Sequence, residues 1–208
     1  MRPRVTLKLA TSLDGRIATA SGESQWITGD AAREQGHRLR AAHDAVLVGV
    51  GTVLADDPQL TVRLPGRPVD QPLRVVLDST LRTPPTARIA GEGTLILTAA
   101  EPRPVGAAEV AQVQAEAGRP TPAAVLKTLR ARGISSVLIE GGGQVAAAFV
   151  GAGVVDAIEW FRAPILLGGE GRPCVAGLEL AALGDAPRFR RLAVEPLGDD
   201  LWERYERL

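Results

Sequence analysis

Short apolar segments rich in β-branched residues alternate along this chain with segments of helical character. Most of the apolar segments end at or just before Gly, Asp or another polar residue, which favours buried β-strands over helices. We therefore predict strands at Val5–Ala10, Ala45–Gly49, Leu73–Leu77, Thr94–Thr98 and Ser136–Ile139.

The segments between these strands carry helix signals. Thr121 suits an N-cap and the following proline suits the first helical position, which predicts a helix over Pro122–Arg132. Two further helices are predicted at Asp30–Ala42 and Gln144–Gly151. Strands that alternate with helices indicate an α/β fold with a mostly parallel sheet covered on both faces.

The C-terminal part departs from this alternation. Segments Arg188–Pro196 and Leu201–Leu208 flank Gly198-Asp199-Asp200, a sequence that favours a tight turn, so an antiparallel hairpin is predicted to finish the sheet. The 208 residues contain neither an evident linker nor an internal repeat. We therefore predict a single domain over residues 1–208.

The charge balance argues against several function classes. Lys plus Arg and Asp plus Glu both total 24, so the net charge of zero gives no electrostatic basis for binding nucleic acid or an anionic membrane. Aromatic residues make up 3% of the chain, too few for a base-stacking surface. The sequence contains neither a signal-peptide pattern nor an apolar run long enough to span a membrane, so we expect a cytoplasmic protein.

Cysteine and histidine are scarce. The single cysteine, Cys174, cannot form an internal disulfide and is expected to be a small buried apolar residue. His37 and His43 lie on or beside one predicted helix without the clustered partners that a zinc site needs. We expect no bound metal.

The sharpest local motif is the strand–turn–helix that contains Gly141, Gly142 and Gly143. Three glycines after a strand let the backbone approach a phosphate closely, and the first turn of the next helix offers N–H groups to an anion. The spacing differs from the usual dinucleotide fingerprint. A tight turn that happens to be rich in glycine is the structural alternative.

A second segment, Gly49–Pro58, has the same strand–turn–helix character. Gly51 is expected to permit an unusual turn, and Thr52 to cap a short helix that ends at Asp56-Asp57-Pro58. The functional interpretation makes Thr52 and Asp56 polar contacts of a cofactor. The alternative is simply a capped helix followed by a turn.

Several polar residues stand out at and after the first strand. Lys8 lies in an apolar strand, where a charge needs a polar cavity or a partner unless it reaches solvent from a sheet edge. Asp14 follows in a turn, where it could orient a substrate or relay a proton, or only stabilise the turn. Ser24 and Trp26 lie on a loop, which favours ligand contact.

These segments occur in an order that resembles the reductase half of the bacterial bifunctional riboflavin-biosynthesis deaminase/reductase. Each motif is weak alone, but the ordered set is specific and extends from about Val5 to about Leu208. The motifs are Lys8-Leu-Ala-Thr-Ser-Leu-Asp-Gly15, Ser21-Gly-Glu-Ser-Gln-Trp-Ile-Thr28, Leu39-Arg-Ala41, Gly51-Thr-Val-Leu-Ala-Asp-Asp-Pro58, Leu60-Thr-Val-Arg63, Val76-Leu-Asp-Ser79, Ile139-Glu-Gly-Gly-Gly143 and Ala163-Pro-Ile-Leu-Leu-Gly168.

The resemblance implies a dihydrofolate-reductase-like three-layer sandwich and a homodimer. It also implies NADPH-dependent reduction of a small phosphorylated pyrimidine, 5-amino-6-(5-phosphoribosylamino)uracil, at its opened ribose. Full-length members of the family carry an additional zinc deaminase domain, whose ligands this sequence lacks. We therefore expect a separate deaminase to act in the same pathway.

The family motifs also imply site residues by position. Cofactor contacts are expected at Ala10, Trp26, Thr52, Asp56, Ser79, Gly141, Gly142, Gly143 and Gln144. Substrate contacts are expected at Ser24, Arg40, Leu60, Arg63 and Glu140, with both arginines and Ser24 near the substrate phosphate. The predicted catalytic residues are Lys8, Asp14 and Glu140.

Other functions remain open from the sequence alone. The same fold could reduce dihydrofolate, another small substrate or the still-aminated pyrimidine. NADH could replace NADPH if the carboxylate of Asp78 pointed toward the adenosine 2′-phosphate, whereas Ser79 and Arg82 could supply donors to it. A different class is a catalytically silent nucleotide-binding partner of a separate deaminase.

Overall fold

The computed structural model describes residues 1–66 and 70–208. Within these ranges the helices are α1 (Asp30–Ala41), α2 (Val50–Asp56), α3 (Pro122–Ala131) and α4 (Gly143–Gly151), with a 3-10 turn at Leu183–Asp185. The strands are β1 (Arg4–Thr11), β2 (Arg16–Ala18), β3 (Ala45–Gly49), β4 (Leu73–Leu77), β5 (Thr94–Thr98), β6 (Glu109–Gln112), β7 (Ala115–Glu116), β8 (Arg119–Pro120), β9 (Ser136–Gly141), β10 (Ala157–Arg162), β11 (Arg172–Pro173), β12 (Phe189–Leu197) and β13 (Asp200–Arg207).

These residues form two compact units. The first contains Met1–Arg4 and His37–Glu140, and the second contains Val5–Gly36 and Gly141–Leu208. Because the chain changes unit inside α1, this helix contributes residues to both. The single domain expected from the sequence stays a prediction.

The first unit is built on parallel strands. Its order is β9-β3-β4-β5-β6, and the pairs β3–β4, β4–β5 and β5–β6 are all parallel. Every residue of β3 and of β5 is buried, as expected for apolar strands covered on both faces. The predicted limits of β3, β4 and β5 are confirmed.

Helix α3 of this unit begins where the sequence indicates. The backbone N–H of Ala124 donates to Thr121 Oγ1 at 3.3 Å, and Pro122 occupies the first turn, where its missing N–H costs nothing. Thr121 is therefore the N-cap, as predicted. The helix ends at Ala131, one residue before the predicted limit.

The second unit is mixed. Its strand order is β12-β13-β10-β1, in which β1–β10 is parallel and both β10–β13 and β12–β13 are antiparallel. Gly198 has φ +64 at the first of the two loop positions between β12 and β13, a conformation that glycine adopts readily. The predicted C-terminal hairpin is confirmed, with each strand displaced by about one residue from its predicted limits.

Two local predictions are wrong. Helix α2 begins at Val50 with Gly49 as N-cap and without a side-chain cap bond, so Thr52 lies inside the helix and does not cap it. Gly51 also lies in regular helix and not in an unusual turn. Local sequence cannot fix such a boundary, because the first residue of the helix depends on where β3 ends.

Strand β10 is an element that the sequence pattern did not predict. Its bulky and polar residues use both faces of the strand. On one face Trp160 Nε1 donates to Thr11 Oγ1 at 2.8 Å. On the other, Phe161 stacks on Trp202 with ring centroids 5.9 Å apart, and Trp202 Nε1 donates to Glu159 Oε2 at 2.6 Å. The polar groups of β10 are therefore hydrogen-bonded to residues distant in sequence, although the strand lacks a simple alternation of apolar residues.

None of the helices in residues 1–66 and 70–208 is long and apolar enough to cross a membrane.

Candidate active site

Glu140, near the end of β9, forms a buried ion pair with Arg40 of α1. Arg40 Nε donates to Glu140 Oε1 at 2.5 Å and Arg40 Nη2 donates to Oε2 at 2.8 Å. The two side chains are only 16% and 5% exposed. Burial acts to lower the pKa of Arg40, but the adjacent carboxylate outweighs it and raises that pKa above its ordinary value. The pair therefore stays charged and geometrically fixed.

The segment Leu60–Arg63 is attached to α1 through its backbone. Arg40 Nη1 donates to the carbonyl of Thr61 at 3.0 Å, and the backbone N–H of Arg63 donates to His37 Nδ1 at 3.2 Å. A guanidinium has five N–H donors, and Arg40 uses three of them in its two bonds to Glu140 and its one bond to Thr61. Part of its donor capacity remains for an anionic ligand.

Leu60 and Arg63 differ in exposure to solvent. The Leu60 side chain is buried and its φ is +52, so a ligand contact at this position would come from the backbone. Arg63 is exposed, and its Nη1 donates to Gln59 Oε1 at 3.3 Å. Its guanidinium is therefore the accessible cation of this segment.

The glycine-rich turn lies between β9 and α4. Gly142 has φ +84, which side chains rarely tolerate. A Cβ at Gly143 would lie 2.5 Å from the carbonyl oxygen of Pro173, and the Gly143 carbonyl accepts from the N–H of Ala176 at 3.0 Å. Two of the three glycines are thus required by the fold itself, and Gln144, the second residue of α4, is exposed.

The residue that follows α2 anchors the C-terminal end of this helix. Asp57 adopts a left-handed conformation at the C-cap, and its Oδ1 accepts from the N–H of Arg88 at 2.8 Å. Asp56, the last helical residue, is exposed, and Thr52 is half-buried within the helix. A Cβ at Gly51 would meet nothing within 4 Å, so the chain leaves open space beside the first turn of α2.

The residue after β4 is a buried carboxylate. Asp78 is fully buried, and its Oδ2 accepts at 2.7 Å from both the N–H and the hydroxyl of Thr83. Its carboxylate is therefore turned into the protein. The neighbouring Ser79 is half-buried and Arg82 is exposed.

In the second unit, Lys8 lies half-buried in β1, in register with Glu159 of β10. Lys8 Nζ lies 5.8 Å from the ring centroid of Phe161, close enough for a cation–π attraction. A Cβ at Gly36 of α1 would lie 3.9 Å from Lys8 Cε. The ammonium is thus held over an aromatic ring, and the glycine of α1 leaves room for the side chain.

Asp14 stabilises the turn that follows β1. Its carboxylate accepts from Ser12 Oγ at 2.6 Å and from the backbone N–H groups of Leu167 and Gly168 at 3.1 and 2.8 Å. These donors, the Ser12 hydroxyl first, lower the pKa of Asp14 to about 2. The carboxylate is therefore ionised at neutral pH and cannot donate a proton there.

The loop after β2 presents an exposed indole. Trp26 is 68% exposed, and the guanidinium of Arg33 lies 4.6 Å from its ring centroid. Arg33 also donates to the Thr28 carbonyl at 3.0 Å and pairs with Asp30. An exposed ring held by a cation suits stacking on a planar ligand. Of the other predicted contacts in this unit, Ser24 and Ala10 are half-buried.

Cys174 is buried, as expected, and burial raises the pKa of its thiol. The thiol is therefore protonated and poorly nucleophilic at neutral pH. Over the part of the chain that the structure describes, there is no cluster of three or more His, Cys, Asp and Glu residues that could hold a metal ion.

Sequence reasoning missed His37 as a member of the site. The sequence indicated only that His37 lacks the clustered partners of a zinc site, whereas its side chain accepts from the Arg63 backbone. The spacing of His37 and Arg40, three residues apart on a helix, is the signal that could have paired them. The partner loop could not be inferred, because the contact spans 26 residues.

Comparison with known proteins identifies relatives of the whole chain. Residues 3–202 match the family model described as the RibD C-terminal domain. The riboflavin biosynthesis protein RibD of Bacillus amyloliquefaciens is 40% identical over 208 residues, covering 96% of this chain but 56% of that protein. The chain thus spans little more than half the length of this relative.

A second relative matches nearly end to end. The 2,5-diamino-6-ribosylamino-4(3H)-pyrimidinone 5′-phosphate reductase of Methanothermobacter thermautotrophicus is 38% identical over 213 residues, covering 99% of this chain and 98% of that protein.

Solved structures agree with the fold. Acinetobacter baumannii RibD superposes with a TM-score of 0.88 at 36% identity, covering all of this chain and 58% of that one. Dihydrofolate reductase from Enterococcus faecalis superposes with a TM-score of 0.55 at 13% identity, covering 98% of this chain and 96% of that one. The predicted dihydrofolate-reductase-like α/β fold is therefore confirmed.

Proposed function

Because this chain belongs to the RibD C-terminal domain family, we propose that it is a pyrimidine reductase of riboflavin biosynthesis that uses NADPH. The proposed substrate is 5-amino-6-(5-phosphoribosylamino)uracil, whose ribosyl group is reduced to the ribityl group. The observation that carries the proposal is the family match over residues 3–202, and the buried Arg40–Glu140 pair beside Arg63 is compatible with it.

The stand-alone relative supports a second substrate. The archaeal reductase that matches end to end is named for the 2,5-diamino pyrimidinone, which still carries the amino group that deamination removes. The two candidates differ by that one group, an amine donor in place of a carbonyl acceptor. Competition between the two substrates at equal concentration distinguishes them.

We assign the substrate phosphate to Arg63 and the remaining donors of Arg40, with Ser24 as a hydroxyl donor. Arginine suits phosphate oxygens because its planar donors match their geometry. Glu140 is neutralised by Arg40, so its role is to orient that guanidinium and to accept hydrogen bonds from the substrate. A phosphate requirement also favours this substrate over dihydrofolate, whose tail carries carboxylates.

NADPH is supported by the residues after β4. Because the Asp78 carboxylate is buried and bonded to Thr83, it does not present a negative charge to an adenosine 2′-phosphate. Ser79 and the exposed Arg82 follow it and supply donors. The other proposed contacts are Ala10, Trp26, Thr52, Asp56, Gly141, Gly142, Gly143 and Gln144.

The open space beside Gly51 also fits a cofactor that approaches the first turn of α2 closely. When bound, NADPH supplies the hydride that reduces the sugar carbon. The chain supplies orientation and charge. Lys8, held over Phe161, is the proposed donor of a hydrogen bond to the developing sugar hydroxyl. Asp14 is ionised, so its proposed role is to orient the turn after β1 and not to relay a proton.

The test is an assay of the purified protein with each pyrimidine and each nicotinamide cofactor, followed by the loss of the absorbance of the reduced nicotinamide. We expect oxidation of NADPH with a phosphorylated ribosylaminopyrimidine, and much weaker turnover with NADH or with the dephosphorylated substrate. Turnover of dihydrofolate alone would refute the substrate assignment. Cofactor binding without turnover of any substrate would support the silent-partner alternative.

A homodimer and a separate deaminase remain proposals from the family resemblance, and a cytoplasmic location remains a prediction from the sequence. Light scattering coupled to size-exclusion chromatography tests the first of them. A dimer is expected, and a monomer at micromolar concentration would contradict it.

A further inference from the structure

His37 connects helix α1 to the loop that carries Arg63. Its Nδ1 accepts the backbone N–H of Arg63 at 3.2 Å. Three residues along the same helix, Arg40 Nη1 donates to the Thr61 carbonyl at 3.0 Å. The loop backbone is therefore fastened to α1 at two points, one acceptor and one donor.

The bond from Arg63 defines the protonation state of the imidazole. A ring nitrogen that accepts a hydrogen bond carries no proton, so a neutral His37 bears its proton on Nε2. Partial burial lowers the pKa of His37, and the nearby cations of Arg40 and Arg63 lower it further. The Glu140 carboxylate and a backbone hydrogen bond at Thr61 act in the opposite direction without reversing the shift.

We propose that His37 is a positioning residue that fixes the backbone of Arg63 and thereby aims its guanidinium at the substrate phosphate. This inference rests on the proposed function, in which Arg63 binds that phosphate. Neither the family motifs used above nor the expected substrate contacts include His37.

The geometry explains why a backbone anchor matters here. Arg63 is exposed and has a long side chain with many rotamers, so the position of its Cα sets the volume that the guanidinium can reach. The preceding Leu60 is held at φ +52, an unfavourable conformation for a leucine. Fixing the loop before the ligand arrives removes an ordering cost from binding.

Three variants test the proposal. His37→Asn retains an acceptor near the position of Nδ1, whereas His37→Leu retains bulk without an acceptor. His43→Asn, two residues beyond the end of α1 and bonded to the Leu39 carbonyl, is the matched control. Each protein is titrated calorimetrically with ribose 5-phosphate, the phosphorylated sugar of the substrate, and is assayed for kcat, KM and NADPH affinity.

Loss of one hydrogen bond should raise the ribose 5-phosphate Kd and the pyrimidine KM of His37→Leu about five- to tenfold. His37→Asn should recover most of that loss, and the kcat and NADPH affinity of both should change little. Equal effects in the Leu and Asn variants, or a loss confined to kcat, would overturn the positioning role.

The pH dependence provides an independent readout. A protonated imidazole cannot accept from Arg63, so the wild-type Kd should rise relative to that of His37→Asn as the pH falls below about 6.5. The phosphate of the ligand ionises identically in both titrations, so its effect cancels in the ratio of the wild-type Kd to the His37→Asn Kd. A Kd ratio that moves the other way as the pH falls contradicts the proposal.

These measurements separate the inference from the proposed function. If ribose 5-phosphate binds and responds to His37→Leu while no pyrimidine is reduced, the reductase assignment fails and the positioning role stands. If the wild type reduces the pyrimidine but the His37 variants bind and turn over normally, the reductase assignment stands and this inference is wrong.

Discussion

Arg40 and Glu140 meet as a two-bond ion pair, 100 residues apart in the chain and almost shielded from solvent. Breaking such a pair leaves one buried charge without compensation, whereas replacing both members with apolar residues removes the cost of burying them. The pair therefore links the stability of the first unit to the proposed substrate site.

Arg40→Met or Glu140→Leu alone should lower the free energy of unfolding by about 3–5 kcal/mol, because each leaves a buried charge. The double variant should lose much less than the sum. Urea denaturation measures all three values, and simple additivity would show that the two residues do not interact.

The activity of the same double variant separates stability from function. If Arg40 binds the substrate phosphate, the folded double variant should still have a raised pyrimidine KM with near-normal NADPH affinity. A double variant with unchanged KM would remove Arg40 from the proposed substrate contacts.

Asp14 provides a pH prediction. Its pKa is lowered to about 2 in the folded protein from an ordinary value of 3.8. Its ionised form is thus favoured by folding, and the resulting stability is fully present above about pH 3.8 and is lost as the pH falls toward about 2.

The free energies of unfolding of Asp14→Asn and of the wild type should therefore differ by a constant amount at neutral and weakly acidic pH. This difference should shrink in strong acid. Asp199→Asn, an exposed carboxylate of the hairpin loop, is the control. An inflection in the kcat of the wild type near neutral pH that disappears in Asp14→Asn would instead indicate a proton relay.

Two glycines should respond oppositely to the same substitution. Gly51→Ala adds a methyl group into open space within a helix and should stabilise the protein by roughly 0.5–1 kcal/mol. Gly142→Ala forces alanine to φ +84 and should destabilise it by about 1–3 kcal/mol. Chemical denaturation of both variants tests this, and the same sign of change in both would contradict it.

Lys8→Met tests the proposed hydrogen bond to the sugar hydroxyl. Methionine preserves an unbranched side chain between Phe161 and Gly36 but removes the ammonium. The kcat should fall about 10²- to 10⁴-fold, while NADPH affinity changes little.

Lys127→Met, an unrelated lysine of α3, is the matched control. Equal losses of kcat and of cofactor affinity in Lys8→Met would place Lys8 in cofactor binding and not in the reaction.

The sequence predicted β3, β4 and β5 well because these strands are mostly apolar, and every residue of β3 and of β5 is buried. Continuous apolar runs such as Thr94–Thr98 have few other stable arrangements, and their limits match β5 at both ends. The hairpin at Gly198 was equally predictable, since its turn needs a glycine at one position. Strand β10 was not, because Trp160 and Glu159 are satisfied by partners distant in sequence.

The site residues show the same division. Ordered motifs predicted roles for Arg40, Glu140 and Asp14, but the motifs could not show what those residues bind within the protein. Two glycines of the Gly141–Gly143 turn, expected to receive a phosphate, also have structural roles, at φ +84 and against Pro173. The sequence alone left these two explanations open.

By itself, the sequence determined the fold class and the family, since apolar periodicity and motif order are local properties of the chain. The tertiary structure decided which charges are neutralised and where protons reside. Arg40 meets Glu140, Asp14 meets the N–H of Gly168, and His37 meets that of Arg63. Such pairings depend on distances between residues far apart in the chain, and electrostatic energies depend on those distances and on burial.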